Sequence, residues 1–214
     1  GTTSNALTFV GRGNVALAVV LSALSSLVTI FTIPLLLSWA LPWFLGGGGE
    51  IPRLSVPGTM LQLAMIVVLP VAAGMLVRRL RPEWADRVVP WLRPVALIVL
   101  IGVIAFGVAI SAEMVWSNLT GVGPAVWVLN VAAMAVGLLL GRLTGADYRD
   151  GMTLAIEVGV QNVTLAVFLT LTVLNSLSLA LTQNIYGVAM LLNGIILVRW
   201  LRTRVAASEA AATA

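Results

Sequence analysis

The chain has no cysteine and no histidine, and all of its basic residues are arginine. Without Cys there is no disulfide and no thiolate metal site. Without His the commonest general base and zinc ligand are missing. Charge is scarce too: 9% of residues are charged and 60% hydrophobic, against about 25% charged in soluble domains. That balance makes an integral membrane protein. The twelve arginines and the net charge of +4 fall in short loops, so they read as topology signals and not as a nucleic-acid surface. The chain opens Gly1-Thr2-Thr3-Ser4-Asn5, without Met and without a charged leader. No signal peptide is expected, and the sequence reads as a piece of a longer protein.

Turning points divide the apolar sequence into about six spans and one shorter piece. Residues 2–10 form the short piece, which stops at Gly11-Arg12-Gly13. The spans are expected at 14–45, 56–77, 91–112, 122–140, 151–173 and 179–198. The first is longer than the about 20 residues that cross a bilayer core, and it contains Pro34 and Pro42, so a tilt, kink or protrusion is expected. Residues 46–55, 113–120 and 142–150 are expected as loops, with Asp147 or Asp150 capping the helix that follows. A turn is expected at 175–178 and a disordered tail at 205–214. The fold class is therefore an all-α membrane protein, a bundle of about six transmembrane helices plus an N-terminal half-helix. Alternating the loops puts eleven of the twelve arginines on one side, with only Arg53 opposite. That side is the cytoplasm, and the C-terminus lies in it.

Glu157 is the single charged residue between Asp150 and Arg199. A carboxylate inside a membrane segment costs about 2.5 kcal/mol or more and needs a partner. Arg149 lies before the apolar run, and no Lys or His exists, so a small cation fits. The plainer alternative is a carboxylate near the interface, since Glu157 lies about two helical turns beyond Asp150. Gln161 stands four residues on, on the same helical face, and an unwound Val158-Gly159-Val160 would add carbonyl oxygens. The opening Thr2-Thr3-Ser4-Asn5 suits a helix cap, and equally a half-helix N-terminus facing an anion. Ser22, Ser25, Ser26, Gln62, Asn130, Gln183, Asn184 and Asn193 read as backbone or helix–helix hydrogen-bonding groups. An enzyme is not expected, because paired membrane acids and other acid–base groups are missing.

Three motifs carry a family resemblance: Gly1-Thr2-Thr3-Ser4-Asn5, then Arg12-Gly13-Asn14-Val15-Ala16-Leu17, then Glu157-Val158-Gly159-Val160-Gln161-Asn162. With them the chain resembles the later two-thirds of the bile acid:sodium symporter family. The resemblance implies ten helices in two inverted repeats, with residues 1–45 ending the first repeat. Residues 46–55 would be a periplasmic loop and 56–204 the second repeat. Helices within 56–112 would form the panel, and those within 121–204, including a broken crossover helix, the core. It implies two sodium sites. One would use Ser4, Asn5, Ser22 and Glu157. The other would use Glu157, Val158, Val160 and Gln161, the two valines through carbonyl oxygens, with a further side chain from a helix preceding this chain. Ala18 stands where bacterial relatives can present a hydroxyl. An organic anion would meet Thr2, Thr3, Asn162 and Thr164, and Val163-Thr164 replace the small residues usual there. The implied activity is sodium-coupled symport of a bile-acid-like or small carboxylate by alternating access. Na+ would be the coupling ion, with no organic cofactor, and the partners would be the lipid bilayer and the anion. The place would be a bacterial inner membrane, and the missing N-terminal helices would be needed. The alternatives are a proton-coupled or uncoupled carrier, a channel, and a truncated fragment without function.

Overall fold

The computed structural model describes residues 2–45, 54–110 and 112–213, and every element among them is a helix. The expected loop at 46–55 lies mostly outside the described residues. The short helix α1 (Thr2–Val10) ends at a tight turn in which Arg12 takes a left-handed conformation, φ 61°. Asn14 then caps α2 (Val15–Leu45), its side chain accepting from the Leu17 amide at 3.1 Å. Both Pro34 and Pro42 sit inside this continuous helix. Ser55 caps α3 (Val56–Leu80), and Arg81 leads directly into α4 (Pro82–Ile110). Helix α5 (Ala112–Leu143) follows, and then α6 (Tyr148–Gly159), which Asp147 caps through the Asp150 amide at 2.8 Å. Three residues on, Asn162 caps α7 (Val163–Thr172), and α8 (Leu177–Thr213) closes the chain.

Among the described residues, five stretches are long and apolar enough to cross a membrane by length and composition: Val15–Phe44, Val56–Leu80, Leu119–Leu143, Tyr148–Thr172 and Leu179–Arg204. The fourth of these is α6 and α7 in series, so a break lies in mid-span. The expected span at 91–112 falls on α4 and the first residue of α5, with Ser111 outside the described residues.

Two expectations are corrected. Residues 113–120 are helical and extend α5 toward its N-terminus, where a loop was expected. The polar residues there, Ser117, Asn118 and Thr120, carry only small helix penalties. The tail is likewise helical as far as Thr213. It is rich in alanine, the best helix former, and simply propagates the preceding helix.

The main core joins α5, α6, α7 and α8 around Met134, Met152, Ile156, Val163, Ile185 and Met190, with Leu7 of α1 packed against it. A smaller cluster, Ile30, Leu63 and Leu169, joins α2, α3 and α7. Glycines let α5 and α6 touch backbone to backbone. A Cβ on Gly137 would lie 2.5 Å from the Leu154 carbonyl oxygen, and one on Gly141 would lie 2.6 Å from the Gly151 Cα. Small residues give this close approach between membrane helices, where packing rather than the hydrophobic effect drives association.

Candidate functional site

Helix α6 stops because its hydrogen-bond ladder is diverted. Val160 closes the last turn by donating to the Ile156 carbonyl at 2.8 Å, and its own backbone is extended, φ −95°, ψ 90°. The Val163 amide turns back to the Gln161 carbonyl at 3.1 Å instead of to Gly159. Asn162 restarts the helix, its side-chain oxygen accepting from the Leu165 amide at 3.1 Å. Glu157 therefore sits within one turn of the break.

Three elements converge on the Glu157 carboxylate. Ser22 of α2 donates its hydroxyl to Oε2 at 2.9 Å, and the same hydroxyl lies 3.5 Å from the Asn5 Oδ1 of α1. The buried Ser4 of α1 lies beside the same carboxylate. Ser4, Asn5, Ser22 and Glu157 thus form one cluster of oxygens. The other carboxylate oxygen, Oε1, is buried without a hydrogen-bond partner. Thr8 Oγ1 and Asn184 Oδ1 share that condition among the described residues, but they are neutral groups, whose desolvation costs far less than that of an ionised carboxylate. A cation beside Oε1 would satisfy it. Among the described residues no group of three or more His, Cys, Asp or Glu is gathered. One carboxylate surrounded by neutral oxygens balances a single positive charge.

The second expected set is arranged differently. The Gln161 side-chain nitrogen donates to the Val158 carbonyl, so these two groups close on each other. A cation held by both would have to turn the amide. Ala18 is fully buried and adds no oxygen.

Beyond the carboxylate opens a cavity of about 490 Å³. It is lined by polar groups, among them Ser22, Ser25, Ser26, Gln161 and Asn162 beside Glu157, and by apolar side chains, among them Ile33, Leu37, Leu165, Leu169 and Leu174. Of the four residues expected to meet substrate, Asn162 lines this cavity; Thr3 and Thr164 are not among its lining residues. The Thr2 side chain lies outside the described residues. Sequence reasoning undervalued the hydroxyl strip Ser22, Ser25, Ser26 and Thr29, whose helical spacing puts it on one face of α2. Ser26 and Thr29 donate to the backbone carbonyls of Ser22 and Ser26 at 2.7 and 3.0 Å.

A profile of the Sodium Bile acid symporter family matches residues 1–118. That is more than half of the 214 residues. The chain belongs to this family. Three of its relatives are named as transporters. A probable chloroplastic sodium/metabolite cotransporter of Arabidopsis thaliana is 28% identical over 79% of this chain and 40% of its own length. An uncharacterized sodium-dependent transporter of Bacillus subtilis is 27% identical over 98% of this chain and 63% of its own length, so that likeness takes in α6 and α7. The human ileal sodium/bile acid cotransporter is 29% identical over 76% of this chain and 45% of its own length. The chain thus spans between 40% and 63% of the length of these family members.

Proposed function

We propose that this chain is part of a secondary transporter that couples sodium entry to uptake of an organic anion by alternating access. The observation that carries the reading is the partnerless Glu157 Oε1 beside a break in a membrane-spanning helix. Sodium beside Glu157, with Ser4, Asn5 and Ser22 as further oxygen donors, would neutralise the carboxylate. It would also tie α1, α2 and α6 together. A second sodium would use Glu157, Gln161 and the carbonyls of Val158 and Val160, once the Gln161 amide had turned. Coupling follows if sodium binds the substrate-ready arrangement better, since a ligand shifts an equilibrium only through differential affinity.

The cavity supports an amphipathic substrate. An anionic head near Asn162 would meet the N-terminal end of α7, the positive end of a half-helix. Thr164 on α7, and Thr2 and Thr3 on α1, would act at the same two helix ends. A bile-acid-like skeleton or a shorter carboxylate would lie along Ile33, Leu37 and Leu169. The arginine-bearing ends would face the cytoplasm of a bacterial inner membrane. The sequence preceding residue 1 would complete the panel and the first repeat, and transport would need it.

Thermal unfolding in detergent, in sodium against potassium at equal ionic strength, tests the reading on the longest form that the gene supplies. Sodium at 100 times its Kd is expected to stabilise the protein by about 2.7 kcal/mol, and Glu157→Gln is expected to lose that gain. A competing account puts a proton on Oε1. A melting temperature that follows pH and ignores sodium would establish that account instead.

A further inference from the structure

The break in the α6–α7 span also involves α5 and α8, through groups outside the proposed cation ligands. In an unbroken helix the Gly159 carbonyl would accept from the Val163 amide, which here bonds Gln161 instead. The Gly159 oxygen takes two side-chain donors in its place. Asn130 Nδ2 of α5 reaches it at 2.8 Å and the Tyr186 hydroxyl of α8 at 3.1 Å. Asn130 Nδ2 also lies 3.1 Å from the Tyr186 oxygen, and Asn130 Oδ1 accepts from Asn193 Nδ2 at 2.8 Å. Asn130 is fully buried, so its amide is satisfied only by this network. Tyr186 has its own place in the cavity wall.

The Gly159–Val160 peptide is therefore held at both ends: its oxygen by Asn130 and Tyr186, its N–H by the Ile156 carbonyl. The carbonyls on either side belong to Val158 and Val160. Backbone geometry couples the three, because rotating one peptide plane re-aims its neighbours through only two soft dihedrals per residue.

We propose that Asn130 and Tyr186 are positioning residues for the cation site, which act by clamping the Gly159 carbonyl and so fixing the directions of the Val158 and Val160 carbonyls. The inference rests on the sodium reading of Glu157. Polar groups between membrane helices ordinarily serve as glue, and a glue role alone would change stability without changing how the site sees ions.

The test is a titration of melting temperature with NaCl and with LiCl, against KCl at constant ionic strength, in the longest form of the protein. It compares wild type, Tyr186→Phe, Asn193→Ala, Glu157→Gln and Met190→Ala. Tyr186→Phe deletes one hydroxyl and keeps the ring. Asn193→Ala removes the donor that orients Asn130 and loosens the clamp from its far end. Met190 is fully buried on α8 with no polar group, so its truncation reports packing loss alone. Tyr186→Phe is expected to raise the sodium Kd by about tenfold, the low end of what losing a ligand-orienting partner costs. It is also expected to change the sodium-to-lithium affinity ratio, because carbonyl spacing sets which ion fits. Asn193→Ala is expected to move both readouts in the same direction by less. Met190→Ala should lower the melting temperature in potassium and leave both readouts at wild-type values. If sodium stabilises the wild type and not Glu157→Gln, while Tyr186→Phe keeps the wild-type Kd and ion ratio, this inference alone is overturned. If the wild type does not respond to sodium, the sodium reading falls and takes the inference with it.

Discussion

Gly159 reads in the sequence as the residue that breaks a helix, and the structure gives it another reason to be there. Helix α6 runs through Gly159, and the break begins at Val160. The only glycine with positive φ among the described residues is Gly145, so Gly159 does not use glycine's conformational freedom. What it supplies is space: a Cβ at this position would lie 2.2 Å from Met134 Cγ. Gly137 differs, because its added Cβ would meet the backbone of Leu154 and Ala155. A methionine side chain can move aside, whereas a packed helix backbone cannot. Gly159→Ala is therefore expected to cost about 1–3 kcal/mol, the usual range for overpacking, and Met134→Ala is expected to restore part of it. Gly137→Ala should cost more and find no rescue in a side-chain truncation. Gly74→Ala, with nothing within 4 Å of its added Cβ, should be neutral or gain up to about 1 kcal/mol from helix propensity. Melting temperatures of the four variants in potassium check the order. The position of the break was legible to within a residue or two, because a lone acid followed by Gly159 and the polar pair Gln161-Asn162 is unusual in apolar sequence. Its support was not legible. Nothing local marks Asn130, 29 residues away in sequence, as the partner of a carbonyl freed at Gly159.

Among the elements, the α1–α2 turn and the first turn of α6 form one unit. Asn14 caps α2 with its Oδ1 and gives its Nδ2 to Asp150 Oδ1 at 2.8 Å. The Asn14 amide donates to Thr153 Oγ1 at 2.9 Å, and Arg149 donates to the Gly13 carbonyl at 3.2 Å. The α1–α2 pair and the broken span are thus fastened here, at the end nearer the arginines, and again at Ser22 and Glu157. The sequence offered Asp147 and Asp150 equally as caps for α6. The structure uses Asp147 as the cap, which leaves Asp150 for Asn14, a contact across 136 residues. Short-range rules cannot choose between two acids when the deciding partner is that far away in the chain. The pairing predicts non-additivity. Asn14→Ala should cost about 1–2 kcal/mol through loss of the cap and of the Asp150 bond. In a double-mutant cycle with Asp150→Ala, the loss in the double variant should fall short of the sum of the two single losses by about 0.5 kcal/mol or more, as for contacting residues. Strict additivity in denaturation midpoints would show that the Asn14–Asp150 bond contributes nothing.

For the whole molecule, the open question is which way the bundle lies in the bilayer, and the arginines argue it. Arg12, Arg78, Arg79, Arg81, Arg142 and Arg149 sit in or beside the turns at one end of the spans, and Arg199 and Arg202 lie near the same end of the last span. The turn between Thr172 and Leu177 at the opposite end carries no charge. Positive residues are retained in the cytoplasm when short loops are sorted during insertion. The arginine-bearing end is therefore expected inside, and the α7–α8 turn outside. These 214 residues contain no cysteine, so a thiol introduced among them is the only one they carry. Glu83 and Leu177 are both exposed and lie at opposite ends. In intact cells a membrane-impermeant maleimide is expected to label Leu177→Cys, and to label Glu83→Cys only after permeabilisation. The reverse pattern would invert the bundle and place the entrance to α6 outside. The result also fixes the route to the carboxylate. Glu157 lies ten residues past the Asp147 cap, in a helix that rises about 1.5 Å per residue, so it sits about 15 Å in from the arginine-bearing end. With that end inside, the proposed sodium ion entering from outside would pass the α7 half of the span before it reached Glu157, and a substrate anion entering the cavity beside α7 would share that path.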